Sequence, residues 1–201
     1  AFRPDLVVDV FATNAALDRH TDLARASAAG GISIERVAPG VIEAMADTVT
    51  PQGVVAVAAQ FTSTLAEVVA AKPRLVAILE EVRDPGNAGT ILRAADAAGA
   101  DAVIFSGKSV DPYNPKVVRS TTGSMFHVPI VSGVDLNEVV AAMHDAGLTV
   151  IAADVKGDDL LEHRAVLQLP TAWLFGNEAH GLDDAQLAKA DRALRLPIFG
   201  R

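Results

Sequence analysis

The sequence predicts an α/β protein whose main domain is built on a mostly parallel sheet covered by helices on both faces. Short apolar runs rich in Val, Ile and Leu alternate with segments of helical apolar spacing from Arg74 onward. Strands and helices that alternate in this way are typical of parallel sheets. Of the 201 residues, 50% are hydrophobic and 21% are charged, which suits a globular protein with a substantial core.

Three regions are predicted along the chain. Residues 1–60 form a small α/β domain, residues 61–73 form a linker, and residues 74–201 form a larger domain. In the small domain the predicted strands are DLVVDVFAT, GISIERVA and GVVAVAAQ, and the predicted helices are NAALDRHTDLARASAAG and PGVIEAMADT. The last strand is a continuous apolar run, which indicates a buried strand. The linker carries no clear strand signal and ends in a proline.

The larger domain is predicted to alternate strands and helices along its whole length. The strands are RLVAILEEV, DAVIFS, VPIV, LTVIAADV, TAWLFG and RALRLPI. The helices are NAGTILRAADAAG, NPKVVRSTTGSMF, DLNEVVAAMHDAG and LDDAQLAKA. This alternation implies a mostly parallel sheet that is covered by helices on both faces. The sequence shows no internal repeat and no low-complexity segment.

Charge and composition exclude several classes of function. The formal net charge of −8 argues against general nucleic-acid binding, which uses a basic surface. Residues 72–119 are nearly neutral, so a local basic face remains open there. The absence of cysteine excludes disulfides and thiolate chemistry and fits a reducing cytoplasm. No apolar run approaches the ~18 residues of a membrane span, and the first residues lack a signal-peptide layout.

The segment RDPGNAGTILRAADAAGAD contains the first candidate site. Asn87 follows Pro85 and Gly86, where a helix needs an N-cap, and helical apolar spacing follows it. Free N–H groups at a helix start and the guanidinium of Arg93 suit a phosphate. A capped helix with an exposed Arg93 paired to Asp96 is the alternative. The pattern matches neither glycine fingerprint for nucleotides, which disfavours a Rossmann-type nucleotide enzyme.

Basic residues beside a tyrosine form the second candidate site, in SVDPYNPKVVRSTTGSMFHVPI. Lys116 and Arg119 lie three residues apart on a predicted helix, so they share a face, and Tyr113 lies in the preceding loop. Such a face can contact phosphates while an aromatic ring stacks on a base. A solvated basic helix face without a ligand explains the same residues.

A glycine-rich loop after a predicted strand forms the third candidate site, in LFGNEAHGLD. Polar residues just beyond the carboxyl ends of strands are where open α/β sheets bind ligands, and glycine permits a close approach. The spacing of Glu178 and His180 does not fit a zinc motif, so no metal is predicted; an acid–base pair remains open. The apolar segment LRLPIFGR at the end of the chain could hold a flat group such as adenine.

These segments, in this order, resemble the SpoU/TrmH family of RNA ribose 2'-O-methyltransferases. DPGNAGTILRAADAAGAD resembles the first family motif, LFGNEAHGLD the second, and LRLPIFGR the lead-in to the third. ADTVTPQGVVAVAAQ is similar to the end of the small ribosomal-protein-like RNA-binding domain found in many members. The resemblance implies a C-terminal trefoil-knotted methyltransferase domain that binds S-adenosylmethionine in the knot and works as a homodimer.

The resemblance also implies roles for individual residues. Arg93 matches the catalytic arginine, Asn87 the asparagine that supports it, and Glu178 the glutamate near the active site. Arg119 is the expected contact for a substrate phosphate, with Lys116 as a second RNA-binding residue. The residues expected at the cofactor are Ala153, Leu174, Gly176, Leu196 and Ile198.

RNA is the partner that the resemblance implies, and the small N-terminal domain favours ribosomal RNA over transfer RNA. A cytoplasmic enzyme without a metal or a membrane partner is expected. Family members continue beyond LPIFGR, so residues are expected to be missing after Arg201 and before Ala1, and this span alone is expected to bind cofactor poorly. The alternatives are a transfer RNA methyltransferase and a non-catalytic RNA-binding dimer of the same fold, which would lack methyl transfer.

Overall fold

A computed structural model describes residues 3–197 of the chain. Two compact units make up the structure, Ala1–Phe61 and Thr62–Arg201. Each unit is organised around its own sheet, with three strands in the first and six in the second. None of the described helices is long and apolar enough to cross a membrane.

The first unit is a three-stranded mixed sheet with helices between its strands. Its strands are β1 (Val7–Ala12), β2 (Ile34–Arg36) and β3 (Val54–Ala58). Its helices are α1 (Asn14–Arg19), α2 (Thr21–Ala29) and α3 (Pro39–Met45). The central strand β1 pairs in parallel with β2 and antiparallel with β3. The α/β character predicted for this region is confirmed.

Two features of the first unit differ from the sequence prediction. The single helix predicted over residues 14–30 is interrupted at His20, whose φ of −117° and ψ of 65° are not helical. The strand predicted to be buried, β3, lies at the edge of its sheet, and Val57 is 43% exposed. An apolar run does not distinguish a buried strand from an edge strand, because topology decides which neighbours a strand has.

The second unit contains a six-stranded sheet with helices on both faces. Its strands are β4 (Leu75–Glu80), β5 (Ala102–Ser106), β6 (Ile130–Val134), β7 (Thr149–Asp159), β8 (Thr171–Phe175) and β9 (Arg192–Arg195). Its helices are α4 (Leu65–Ala70), α5 (Pro85–Ala97), α6 (Pro115–Ser120), α7 (Leu136–Asp145) and α8 (Asp184–Leu187). The strand order is β6-β5-β4-β8-β7-β9, and every neighbouring pair is parallel, as predicted.

The core of this unit fills both faces of the central strand β4. Val76 and Ile78 belong to the cluster that packs against α4 and α7. Ala77 and Leu79 alternate with them and are also buried, on the face that α5 covers. Burial on both faces explains why the strands read as nearly continuous apolar runs.

The segment predicted as a linker contains a helix that is part of the second unit. Thr64 and Glu67 form a capping box, in which Thr64 Oγ1 accepts from the Glu67 N–H at 3.2 Å and the Glu67 carboxylate accepts from the Thr64 N–H. Val68 is buried in the main core cluster. A Thr followed three residues later by a Glu is a typical helix start, and it indicates this helix even though the segment has no strand pattern.

The helix predicted over residues 114–126 ends early, at Ser120. Thr122 and Gly123 have φ values of 50° and 102°, which a right-handed helix does not allow. A short 3-10 turn, Ser124–Phe126, follows the break. Gly123 is the residue that adopts the left-handed conformation most cheaply, so it provides the physical reason for the early end.

Candidate active site

Two loops lie side by side at one edge of the six-stranded sheet. They are residues 81–84, which lie between β4 and α5, and residues 176–183, which lie between β8 and α8. The two strands are parallel neighbours, so their carboxyl ends meet at the same edge. The side chain of Asn177 joins the loops, because its Nδ2 donates to the Glu81 carbonyl at 2.9 Å. The sequence predicted a site in each loop, and the sheet brings the two together.

Glu178 links the second loop to the first through its carboxylate. Its oxygens accept from the backbone N–H groups of Arg83 at 3.3 Å and Asp84 at 3.0 Å, and from the side chain of Asn87. Burial raises the pKa of this carboxyl, but the hydrogen bonds from its own N–H, Asp84, Arg83 and Asn87 outweigh burial and hold the pKa below its usual value. An ionised, already hydrogen-bonded carboxylate is a weak proton acceptor, so its geometry suits anchoring.

The helix that carries Asn87 begins earlier than predicted. Asp84 is the N-cap, and its carboxylate accepts from the Asn87 N–H at 2.8 Å, while Pro85 occupies the first helical position. The prediction of Asn87 as the N-cap is therefore wrong. Asp and Asn are equally good caps, and Pro at the first helical position is the feature that favours Asp84. The shift frees the Asn87 side chain to contact Glu178.

Arg93 lies on the same helix and points its charge to solvent. Along α5 it is six residues beyond Asn87, about 9 Å further along the axis. Within residues 3–197 its guanidinium has no hydrogen-bond or ion-pair partner. The pairing with Asp96 that the alternative interpretation required is absent, because Asp96 contacts His127 Nδ1 at 3.0 Å. The arginine is therefore available to an anionic ligand.

The basic helix α6 is docked closely on the first turns of α5. A Cβ atom on Gly89 would lie 1.9 Å from Ser120 Oγ and 2.6 Å from Ser120 Cβ, so only glycine permits this crossing. The Ser120 hydroxyl donates to the Pro85 carbonyl at 2.9 Å. Lys116 and Arg119 are exposed on α6. The second candidate site is thus on the helix next to the first.

The glycines of the second loop are needed by the loop itself. A Cβ atom on Gly176 would lie 2.7 Å from the Gly181 backbone and from Leu182 Cγ. Asn177 and Gly181 form an isolated antiparallel bridge that closes the turn, and Gly181 has a φ of 71°. The presence of Gly176 is therefore explained without a ligand. No hydrogen bond joins Glu178 to His180 among the residues described.

Two of the predicted cofactor residues, Ala153 and Leu196, line one cavity of about 520 Å³. Its other walls include Thr90, Ile91, Trp173, Phe175 and Leu194. Leu174 is fully buried in the main core cluster, so only its backbone could face a ligand. Ile198 lies outside the described residues. The aromatic wall of the cavity was not predicted, because Trp173 and Phe175 read as ordinary strand residues.

The described residues contain no group of His, Cys, Asp and Glu side chains placed to hold a metal ion. Hydrogen bonds of Asp84, Asn177 and Gln186 also hold the two loops in place, and the sequence patterns predicted no such role for these residues. The dipeptide Asp84-Pro85 is a recognisable helix start, but the other two contacts have no local signal.

The contact between Glu178 and the backbone amides is expected to be lost in acid. Because folding lowers the pKa of Glu178, its stabilising contribution is complete above the unfolded-state pKa and disappears as the pH falls through the folded-state pKa. The protection factors of the Arg83 and Asp84 amides, which NMR hydrogen exchange gives relative to the intrinsic rate at each pH, should fall over that pH range. In Glu178→Gln the pH step should vanish, and a step that persists in this variant would contradict the assignment.

Comparison with known protein families identifies the class of protein to which this chain belongs. Residues 74–201 match the model of the SpoU rRNA Methylase family, and residues 2–64 match the model described as RNA 2'-O ribose methyltransferase substrate binding. The chain therefore belongs to the SpoU rRNA methylase family, with a substrate-binding domain before the methylase domain.

Two bacterial relatives carry specific names. The chain is 34% identical to the Bacillus subtilis 23S rRNA (guanosine(2553)-2'-O)-methyltransferase RlmP, covering 85% of this chain and 66% of that protein. It is 35% identical to the Streptomyces viridochromogenes 23S rRNA (uridine(2479)-2'-O)-methyltransferase, covering 75% of this chain and 54% of that one. This chain thus spans less than two thirds of the length of these relatives.

Solved structures show the same architecture. An AdoMet-bound rRNA methyltransferase from Sinorhizobium meliloti matches with a TM-score of 0.79 and 31% identity, over 97% of this chain and 72% of that chain. The SpoU methyltransferase AviRb from Streptomyces viridochromogenes, in complex with AdoMet, matches with a TM-score of 0.79 and 29% identity, over 97% and 75% of the two chains.

Proposed function

We propose that this protein transfers a methyl group from S-adenosylmethionine to a ribose 2'-hydroxyl of RNA. The observation that carries the proposal is the junction of the two loops, where Glu178 fixes the start of α5 and Asn87 while Arg93 on the same helix stays unpaired. Family membership and the names of the relatives support it. Arg93, Asn87 and Glu178 remain the site residues of this proposal.

The residues present fit S-adenosylmethionine. A cavity of about 520 Å³ with the apolar walls Ala153, Leu194 and Leu196 lies in the range of ~300–1,000 Å³ typical of small-molecule sites. These walls would hold the flat adenine ring of the cofactor. Gly176 and the backbone of Leu174, at the end of the neighbouring strand, would also contact the cofactor. When bound, the cofactor supplies a sulfonium methyl group, which is the electrophile.

The residues of this chain position the substrate and stabilise charge. Arg93 binds the RNA phosphate next to the target ribose and stabilises the negative charge that develops on the 2'-oxygen. The pKa of an arginine is ~12 or higher, so Arg93 keeps its proton, and the hydroxyl proton leaves to water. Glu178 and Asn87 hold the start of α5 so that Arg93 keeps its direction.

The proposed substrate is ribosomal RNA, and the first unit is proposed to bind it. The match of residues 2–64 to a substrate-binding domain and the 23S rRNA relatives favour ribosomal over transfer RNA. We further propose that the enzyme is a homodimer with a trefoil knot, acts without a metal and resides in the cytoplasm; family membership and the lack of cysteine support these points.

The test is a direct assay of methyl transfer. The full-length protein is incubated with methyl-labelled S-adenosylmethionine and unmodified total RNA, which is then separated by size and digested to nucleosides. Label in a 2'-O-methylnucleoside from ribosomal RNA is the expected result. Label only in transfer RNA would favour the transfer RNA alternative, and cofactor binding without transfer to any RNA would contradict the enzyme.

RNA affinity is expected to depend steeply on salt. A counterion is released from the RNA whenever one of the cations Arg93, Lys116 and Arg119 neutralises a phosphate. Lys116→Ala should therefore reduce the slope of the logarithm of the RNA-binding constant against the logarithm of the salt concentration by about 0.7–0.9. Lys189→Ala is the matched control, because the Lys189 ammonium bonds Asn137 Oδ1 on the α7 side of the sheet. Equal slopes for the wild type and Lys116→Ala would exclude this lysine from the RNA contact.

A further inference from the structure

A buried carboxyl group at the end of β4 is not used by the proposed mechanism. Glu80 is 6% exposed, and no Lys, Arg or His side chain among residues 3–197 pairs with it. Burial of a carboxylate without a cation is costly, so a residue of this kind calls for an explanation. Glu80 directly precedes the loop that holds Arg83 and Asp84, and this loop leads into the helix that carries Asn87.

Both oxygens of Glu80 accept hydrogen bonds from neutral groups on other elements. The Ser106 hydroxyl, at the end of β5, donates to Oε2 at 2.5 Å. The Gln186 side chain, in α8, donates from Nε2 to Oε1 at 3.2 Å. A Cβ atom on Gly107 would lie 2.8 Å from Oε1, so this glycine provides the room for the carboxyl group. Two separate segments, residues 106–107 and helix α8, are therefore adapted to one side chain.

Gln186 connects Glu80 to the start of α8. Its Oε1 accepts from the Asp183 N–H at 2.9 Å, and the Asp183 carboxylate accepts from the Gln186 N–H at 2.7 Å, which forms a capping box. The same amide group thus caps the helix with its oxygen and holds Glu80 with its nitrogen. This contact attaches the end of the loop 176–183 to β4.

The loop 176–183 is consequently anchored to the end of β4 at two points. Near its start, Asn177 donates to the Glu81 carbonyl at 2.9 Å, and just beyond its end Gln186 donates to Glu80. Glu178 lies between these anchors and accepts from the amides of Arg83 and Asp84. Fixing both ends restricts the distance over which Glu178 can move away from those amides.

We propose that Glu80 is a positioning residue for the proposed methyl transfer, and that its bond with Gln186 keeps Glu178 in contact with the loop 81–84 and with Asn87 at the start of α5. The inference rests on the proposed function, because it concerns the same site. Glu80 contacts no substrate in this role and acts only through Gln186 and the two loops.

The sharpest variant is Gln186→Glu in the full-length protein. Its carboxylate still accepts from the Asp183 N–H, so the capping box is retained. It has no amide donor for Glu80, so the hydrogen bond between positions 186 and 80 is lost. We expect kcat to fall about 10- to 100-fold with little change in KM for S-adenosylmethionine, because a small displacement of catalytic groups has effects of this size. Gln168→Glu, on an exposed 3-10 turn, is the control for the added charge.

The exchange of roles in Glu80→Gln/Gln186→Glu should restore activity. In this double variant the new amide at position 80 donates to the new carboxylate at position 186, and its oxygen accepts from Ser106. The hydrogen bond is re-formed with reversed polarity, so kcat should return to within about threefold of the wild type, as a coupled pair predicts. Failure of the rescue would mean that activity does not depend on a hydrogen bond between positions 80 and 186, which would overturn the proposal.

Two readouts do not depend on turnover. In Gln186→Glu the amides of Arg83 and Asp84 should exchange about 10-fold faster, and the pKa of Glu178, titrated by NMR, should move back toward its usual value. Both should recover in the double variant. Exchange and titration identical to those of Gln168→Glu would overturn the proposal. Absence of methyl transfer by the wild type would instead contradict the proposed function, while these readouts still decide the role of Glu80.

Discussion

Arg93→Ala is expected to lower kcat for methyl transfer by about 10²–10³-fold, the loss typical when one group that stabilises transition-state charge is removed. Arg93 is the exposed cation of α5 that has no partner within residues 3–197. The S-adenosylmethionine affinity, measured by calorimetry, should stay within a few-fold of the wild type. Arg93 is not among the described residues that line the proposed cofactor cavity.

Arg93→Lys separates the two functions of the side chain. Lysine keeps the positive charge but lacks the planar fork that binds a phosphate through two hydrogen bonds. Turnover should therefore remain well below that of the wild type. Near-normal turnover would remove the bidentate role and leave only the charge. Arg164→Ala, on the 3-10 turn Arg164–Gln168, is the control for the loss of one surface arginine.

Gly89→Ala is expected to lower the free energy of unfolding by about 1–3 kcal/mol, the cost typical of overpacking. A Cβ atom at this position would meet the side chain of Ser120 and also its backbone carbon, at 2.9 Å, so a change of rotamer cannot relieve the clash. Helices α5 and α6 must separate, which would also displace Lys116 and Arg119 from α5 and weaken RNA binding. Denaturant unfolding and RNA titration measure the two effects.

The control for this substitution is Gly40→Ala in α3. Open space surrounds a Cβ atom there, so the higher helix propensity of alanine should leave stability unchanged or raise it by up to ~1 kcal/mol. In Gly89→Ala/Ser120→Gly the side-chain clash is removed and the backbone contact remains, so part of the stability should return. If Gly89→Ala is as stable as the wild type, the close crossing of α5 and α6 is wrong.

Local sequence patterns predicted most of the helices and strands. They failed where one pattern is compatible with two different structures. The parallel strands from Leu75 onward were predicted from their apolar runs, because burial on both faces leaves few polar positions. The lack of a strand pattern predicts a linker over residues 61–73, although the spacing of Thr64 and Glu67 indicates a helix start. Asp84 and Asn87 are both good N-cap residues, so residue type alone does not decide where α5 begins.

The site residues also divide into those that local sequence patterns predicted and those that they did not. The loops after β4 and β8 were each predicted as ligand sites because they follow strand ends, and Glu178 and Asn87 are found in contact. Gly176 is predicted to contact the cofactor, and the turn itself also requires a glycine at this position. Trp173 and Phe175 line the cavity and were read only as strand residues. A strand pattern predicts that side chains alternate between the two faces of the sheet, but it does not predict which face borders a cavity.

The sequence by itself determined the α/β class, the alternation of strands and helices, and the chemistry available in each loop. These depend on neighbours along the chain, through apolar period, caps and turns. Only the tertiary structure decided that β4 pairs with β8, and hence that Glu80 meets Gln186 and that Glu178 meets the amides of Arg83 and Asp84. Strand order is set by the packing of the whole sheet, so contacts between residues about a hundred positions apart leave no periodic trace in the sequence.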